Sequence, residues 1–147
     1  AHKINVCEVI TPGGNWSSWP PHRHDGIGDC MTTNEEIYYF RMGRGDSLHG
    51  DPIGEGSFHV YTVDGRVDDT ETIKDADAYL VPEGYHGPTV APPEYPMYFL
   101  NVLAGPADDR SMAFCDDPSH HWIRESWDDQ KADARLPMTS ATGRVDH

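Results

Sequence analysis

The sequence predicts an all-β protein, a small sandwich or barrel of short antiparallel strands. Three observations carry that reading. Fourteen glycines and twelve prolines in 147 residues punctuate the chain more often than long helices tolerate. Aromatic and β-branched residues fill the intervals between them, as half-buried strands require. No internal repeat and no sustained helical period runs through the chain.

The elements follow in order. Residues 4–10 (INVCEVI) make a short apolar strand, ended by Thr11-Pro12-Gly13-Gly14. Trp16 to His24 comes next, with Pro20 and Pro21 holding the approach to a histidine pair extended. Residues 25–34 read as a loop, having neither period. Glu35 to Met42 is the strongest strand, placing Glu36, Tyr38 and Phe40 on one face and Ile37, Tyr39 and Arg41 on the other. Gly43-Arg44-Gly45-Asp46 ends it.

Residues 57–63 (SFHVYTV) predict a further strand, and Asp64-Gly65 a hairpin turn. Two short strands follow at 70–74 and 77–82. The run 95–105 (YPMYFLNVLAG) is apolar on both faces and therefore central. Beyond Pro106 the character changes. Asp117-Pro118 opens a short helix, and 128–147 is charged or small, an extended arm or tail. The expected organisation is one domain over 4–127, enough chain for one core, with a C-terminal arm at 128–147.

Composition narrows the function. A net charge of −14 and a pI near 4.8 repel nucleic-acid phosphate and exclude that class of partner. An anionic small molecule remains admissible where a metal or an arginine dominates the local field. Cys7, Cys30 and Cys115 are widely spaced, odd in number and without a CxxC pair. They predict reduced thiols in a cytoplasmic protein. Neither a basic-then-apolar leader nor a long apolar run points to a membrane partner.

The chemistry resides in His22 and His24 of PPHRHD, Glu36 of NEEIYYF, and His86 of VPEGYHG. On a strand, His-x-His turns both imidazoles to one face. Glu36 occupies a second strand, and the Pro82-x-Gly84 turn can return His86 to the same cavity. Three neutral nitrogens and one carboxylate suit a divalent first-row metal and leave positions open for substrate. His2, His49, His59, His120, His121 and His147 are assigned to surface or core.

The spacing resembles the two motifs of the cupin superfamily, with Gly43 seven residues after Glu36 and Ala76 where a glycine often precedes Pro82. The His-to-Glu interval is long, and PEGYH is one residue shorter than the usual pattern. The strings TPGGNWSSWPPHRHD, EEIYYFR, VPEGYHG, YFLNVLAGP and DDPSHHWIRESW resemble, more narrowly, the 5-deoxy-glucuronate isomerase family of inositol catabolism. The 5-keto-4-deoxyuronate isomerases are related more loosely. This resemblance runs from about Val6 to Trp127 and fits the C-terminal, metal-bearing half of a two-cupin protein. Both a stand-alone single-domain relative and a part of a longer protein stay open.

The resemblance implies a small cupin β-barrel and a metal-dependent aldose–ketose isomerase acting on a deoxy-uronic acid. His22, His24, Glu36 and His86 match the family's metal ligands, with zinc or manganese as the expected ion and iron as the variant. Tyr38, two residues from Glu36 on the same face, is the candidate for acid–base or hydrogen-bonding work. Asn101, which shares a strand face with Met97, Phe99 and Leu103, is the candidate for substrate binding. Arg23 and Arg41 alternate away from the site, so spacing shows no carboxylate-binding group, and Glu83 and Tyr85 are given no role. Trp16, Trp19, Tyr39, Trp122 and Trp127 are expected at a subunit interface, making a homo-oligomer. The rival functions are an Fe(II) dioxygenase using the same ligands and a non-catalytic sugar-binding module.

Overall fold

A computed structural model describes residues 4–108 and 111–131. Ten strands and one short 3₁₀ helix follow one another: β1 (Asn5–Thr11), β2 (Trp16–Ser17), β3 (His22–Arg23), β4 (Glu35–Met42), β5 (Glu55–Tyr61), β6 (Asp68–Lys74), β7 (Ala78–Val81), β8 (Tyr85–Val90), β9 (Met97–Ala104), β10 (Cys115–Asp116), and the helix His121–Trp127. One sheet has the order β1-β9-β4-β7, and the other runs β10-β3-β8-β5-β6 with β2 also paired to β8. All pairings are antiparallel. The sheets face each other without closing into a continuous barrel, an all-β cupin-like fold.

The strands form where period-two alternation predicts. β4 is buried at every second residue from Glu36 to Met42, and β9 is central between β1 and β4, as its two-sided apolar sequence requires. The core lies between the sheets. Tyr38, Phe40 and Met42 from β4, Met97 and Phe99 from β9, and Phe58 and Val60 from β5 pack there with almost no exposure. Aromatic rings supply much of the contact: Tyr38 lies 4.8 Å from Phe58 and 5.2 Å from Phe99, centroid to centroid.

The expected helix after Asp117-Pro118 is present, but as a 3₁₀ turn over His121–Trp127 with none of its residues buried. The expected tail at 128–147 falls mostly outside the described residues. One expectation is corrected. Cys30 and Cys115 form a disulfide across 85 residues of chain, leaving Cys7 as the free thiol. Sequence spacing offered no pairing because the two cysteines meet only when β10 folds back along β3. The inference of a cytoplasmic compartment rested on reduced thiols and loses that support.

Candidate metal centre

The second sheet delivers three histidines to one point. His22 opens β3 and is the register partner of His86 on β8; His24 lies one residue past the end of β3. Two glycines shape the approach of β8. Gly84 (φ 91°) sits 2.7 Å, measured from a virtual Cβ, from the Tyr61 carbonyl, and at Gly87 (φ 99°) a Cβ would collide with the Ser18 carbonyl. The first sheet delivers Glu36 from the inward face of β4.

Each imidazole is oriented by the backbone. His24 Nδ1 lies 2.8 Å from the Asn34 carbonyl, and the Nδ1 atoms of His22 and His86 lie 3.3 Å from the Pro20 and Gly84 carbonyls. A carbonyl only accepts, so each Nδ1 carries the proton; the Nε2 atoms of His22 and His86 are left with lone pairs, whereas His24 Nε2 donates to Glu36 Oε2 and must lose that proton before it can ligate. The three histidine ligand atoms lie within 4.8 Å of one another. Glu36 Oε2 sits among them, 3.0 Å from His24 Nε2 and 2.9 Å from His86 Nε2. Its other oxygen accepts from Asn101 Nδ2.

His86 Nε2 decides whether a cation fits. It is fully buried and close to Glu36, yet lies out of line for a hydrogen bond and has no hydrogen-bonding partner. A buried nitrogen left in that state is costly. A divalent ion held by His22, His24, His86 and Glu36 would satisfy it, and an N₃O donor set suits first-row metals.

The electrostatics agree. Burial, reinforced by repulsion from His86, lowers His22 to about 4, so it is neutral and free to ligate near pH 7. Burial also opposes charge on His24, but its hydrogen bond to Glu36 outweighs that and raises it. Glu36 is lowered to about 2: burial pushes up, and the hydrogen bond from His24 together with the nearby His86 imidazole pushes down harder.

The site opens into a cleft of about 270 Å³. Val9, Phe99 and Leu103 make its apolar wall, Ser18, Tyr38 and Asn101 add polar groups, and Met112 and Phe114 stand at the mouth. Tyr38 is almost wholly buried. Burial, then the Glu36 charge, pushes its phenol well above the ordinary range, so it remains a hydroxyl donor. Asn101, expected against a ligand, lines the cleft but also spends an N–H on Glu36.

Cys7 lines the same cleft and was not singled out by sequence. It stands opposite Asn101, which stands opposite Tyr38. The alternation of β1 hinted at an inward side chain, but only the β1–β9–β4 order brings it to this site. The arginines do point away. Arg23 is bound to Asp25, Asp29 and the Ile27 carbonyl, and Arg41 to Asp75. Glu83 pairs with Arg66, and Tyr85 lies 5.2 Å beneath the Arg23 guanidinium. His59 bonds Asp68, His121 bonds Asp116, and His120 packs 4.9 Å from Trp19. His2 and His147 lie outside the described residues.

Residues 1–123 match the KduI/IolB family. The chain is 45% identical over 127 residues to a 5-deoxy-glucuronate isomerase of Geobacillus kaustophilus, covering 86% of this chain and 42% of that one. It is 42% identical over 130 residues to the 5-deoxy-glucuronate isomerase of Bacillus subtilis strain 168, covering 85% and 43%. The crystal structure of an IolB-like protein from Salmonella typhimurium LT2 superposes with a TM-score of 0.71 at 36% identity, over 84% of this chain and 44% of that chain. The chain therefore spans less than half the length of these relatives.

Proposed function

The chain belongs to the KduI/IolB family, and from that premise we propose that it is an intramolecular aldose–ketose isomerase for a deoxy-uronic acid. The reaction is of the type that turns 5-deoxy-glucuronate into 5-dehydro-2-deoxy-gluconate. The observation carrying the proposal is the convergence of His22, His24, His86 and Glu36 on one cleft in a chain 45% identical to a 5-deoxy-glucuronate isomerase.

We assign those four residues as ligands of one divalent ion, zinc or manganese ahead of iron. Such an ion would supply positive charge to offset the negative charge that develops on the substrate during isomerisation. The chain's own groups do the rest. Asn101 holds the Glu36 carboxylate and presents its remaining surface to substrate. Tyr38, protonated and facing Glu36 and Ser18, donates a hydrogen bond to a substrate oxygen at the floor of the cleft. Val9, Phe99 and Leu103 keep water away from the reacting carbons.

We take residues 4–127 as one cupin domain with 128–147 as an appended arm. Trp16, Trp122 and Trp127 are exposed large apolar side chains, which favours a homo-oligomer; native mass tests it. No helix among the described residues is long and apolar enough to cross a membrane.

The deciding experiment incubates metal-loaded protein with 5-deoxy-glucuronate in the absence of O₂ and follows the keto product. Conversion is the expected result and excludes the Fe(II) dioxygenase. A folded, metal-loaded sample without turnover sinks the isomerase reading for this chain.

A further inference from the structure

A sugar acid in the cleft needs a partner for its carboxylate. Among the described residues, no lysine or arginine lines the metal cleft. The wall formed by Phe114, however, is shared with a second, shallower depression lined by Phe114, Asp116, Pro118, His121 and Arg124. The Phe114 ring centroid lies 5.0 Å from the His22 ring and 4.7 Å from the Arg124 guanidinium carbon. Taken together, these distances place the guanidinium within about 10 Å of a metal ligand. An open-chain six-carbon sugar acid spans roughly 6 Å from C1 to its carboxylate carbon, at standard bond lengths. Both ends can be engaged at once.

We propose that Arg124, with His121 beside it, reads the carboxylate of a sugar acid whose other end occupies the metal cleft. The inference rests on the cleft being a sugar-acid site and names the residue that sets its specificity. Asp116 fixes the guanidinium by accepting from both Nε and Nη2. The Nη1 edge has no partner among the described residues. His121 Nδ1 lies 2.7 Å from Asp116 Oδ2, which leaves its Nε2 turned to solvent. The Arg124 side chain is 26% exposed and the Asp116 side chain 6%, so the fork is held from beneath and open above.

Aromatic contact completes the mount, because Arg124 also lies 4.8 Å from the Trp127 ring. A guanidinium held in one orientation loses little entropy on binding a carboxylate. The mount is tied to the metal ligands as well: Asp116 is the register partner of His22. The chain has only eleven lysines and arginines against twenty-five acids, and among the described residues Arg124 is a cation placed beside the Phe114 wall of this cleft.

The competing role for Arg124 is a clamp that fastens the 3₁₀ helix to β10. Calorimetry on metal-loaded protein separates the two, using D-glucuronate and D-glucose as probes. The wild type is expected to bind glucuronate more tightly. Arg124→Met keeps the apolar stem and should weaken glucuronate binding at least tenfold while leaving glucose binding and metal content unchanged. Arg124→Lys keeps the charge without the fork and should weaken glucuronate alone by a smaller factor; it also decides the matter if the Met variant fails to fold. Equal losses for both sugars, no loss in either variant, or a wild type without preference for glucuronate overturns the proposal. Turnover of 5-deoxy-glucuronate is scored separately. Carboxylate-selective binding without turnover sinks the isomerase and leaves Arg124 standing, whereas turnover with an unchanged KM in Arg124→Met does the reverse.

Discussion

His22 and His86 are direct cross-strand partners in the β3–β8 ladder, their ring centroids 4.5 Å apart. Antiparallel pairing alone brings the two imidazoles together, and the Nδ1–carbonyl contacts turn their Nε2 atoms the same way. A divalent ion is therefore expected at about one per chain after dialysis against zinc or manganese, with a rise in melting temperature. At a hundredfold excess over Kd, such binding stabilises by about 2.7 kcal/mol. His86→Ala should abolish both effects in a protein that still shows a β-type circular dichroism spectrum. Stoichiometric metal in that variant would place the ion elsewhere.

Asn101 reaches Glu36 from β9 across the β4–β9 pairing and holds the carboxylate oxygen that does not face the histidines. Partners of this kind tune affinity by orienting a ligand rather than by touching the ion. Asn101→Leu should lower metal affinity about 10- to 100-fold, measured by competition with a chromophoric chelator, with little change in melting temperature of the metal-free form. An unchanged affinity would leave Asn101 with the substrate alone.

The metal-free protein should show two acid limbs in its stability. His22 titrates near 4 in the folded state, below its ordinary 6.5. Between those values the unfolded chain binds a proton the folded chain refuses, so stability falls as pH drops through that window. Glu36 titrates near 2 against an ordinary 4.5; its contribution is present above 4.5 and lost as pH falls toward 2. His24 is raised, so its contribution is fully present below 6.5 and fades as pH rises through its folded value. Thermal melts in EDTA from pH 7 to 4 test the upper limb, which His22→Gln should flatten. A wild type whose melting temperature is level over that range would contradict the burial of a neutral His22.

The strands, and the convergence of His22, His24, Glu36 and His86 on one cleft, were legible because they rest on short-range patterns. Glu35 to Met42 alternates visibly, His-x-His has a defined geometry on extended chain, and Pro82-x-Gly84 marks a turn by residue type. What escaped depends on contacts between distant segments. Asn101 and Glu36 lie 65 residues apart, and no local period reports that β9 sits beside β4. Cys7 joins the cleft only through the β1–β9–β4 order. Arg124 comes beside the site mouth because β10 folds onto β3, a pairing of two residues on each side with no hydrophobic alternation to announce it.

Ala76 occupies the left-handed region at φ 69°, in the turn between β6 and β7 where the related pattern often carries glycine. Its amide bonds the Phe40 carbonyl, and the Phe40 amide bonds the Asp77 carbonyl, so neighbouring backbone holds it there. An L-residue in this conformation costs about 1 kcal/mol or more relative to glycine. Ala76→Gly should then stabilise the domain by about 0.5–1 kcal/mol after the added freedom of the unfolded chain is counted. Urea melts at constant m-value check it, and a lower midpoint would show that the turn is not strained by its Cβ.

Cys30 and Cys115 anchor β10, and with it Asp116 and Phe114, against the strand bearing His22. Closing 85 residues of chain removes unfolded-state entropy worth about 4.5 kcal/mol in the loop-closure picture. Cys115→Ser should lose most of that in urea melts and should also loosen the mouth of the cleft, raising KM for a sugar acid more than it lowers metal content. The wild type under reductant should match the variant, since both release the same loop. Thiol titration of the denatured, unreduced chain gives an independent check. One reactive thiol, Cys7, is expected out of three cysteines; three reactive thiols would show that the bridge does not form, and β10 would then depend on the Arg124–Asp116 pair and its two-residue ladder.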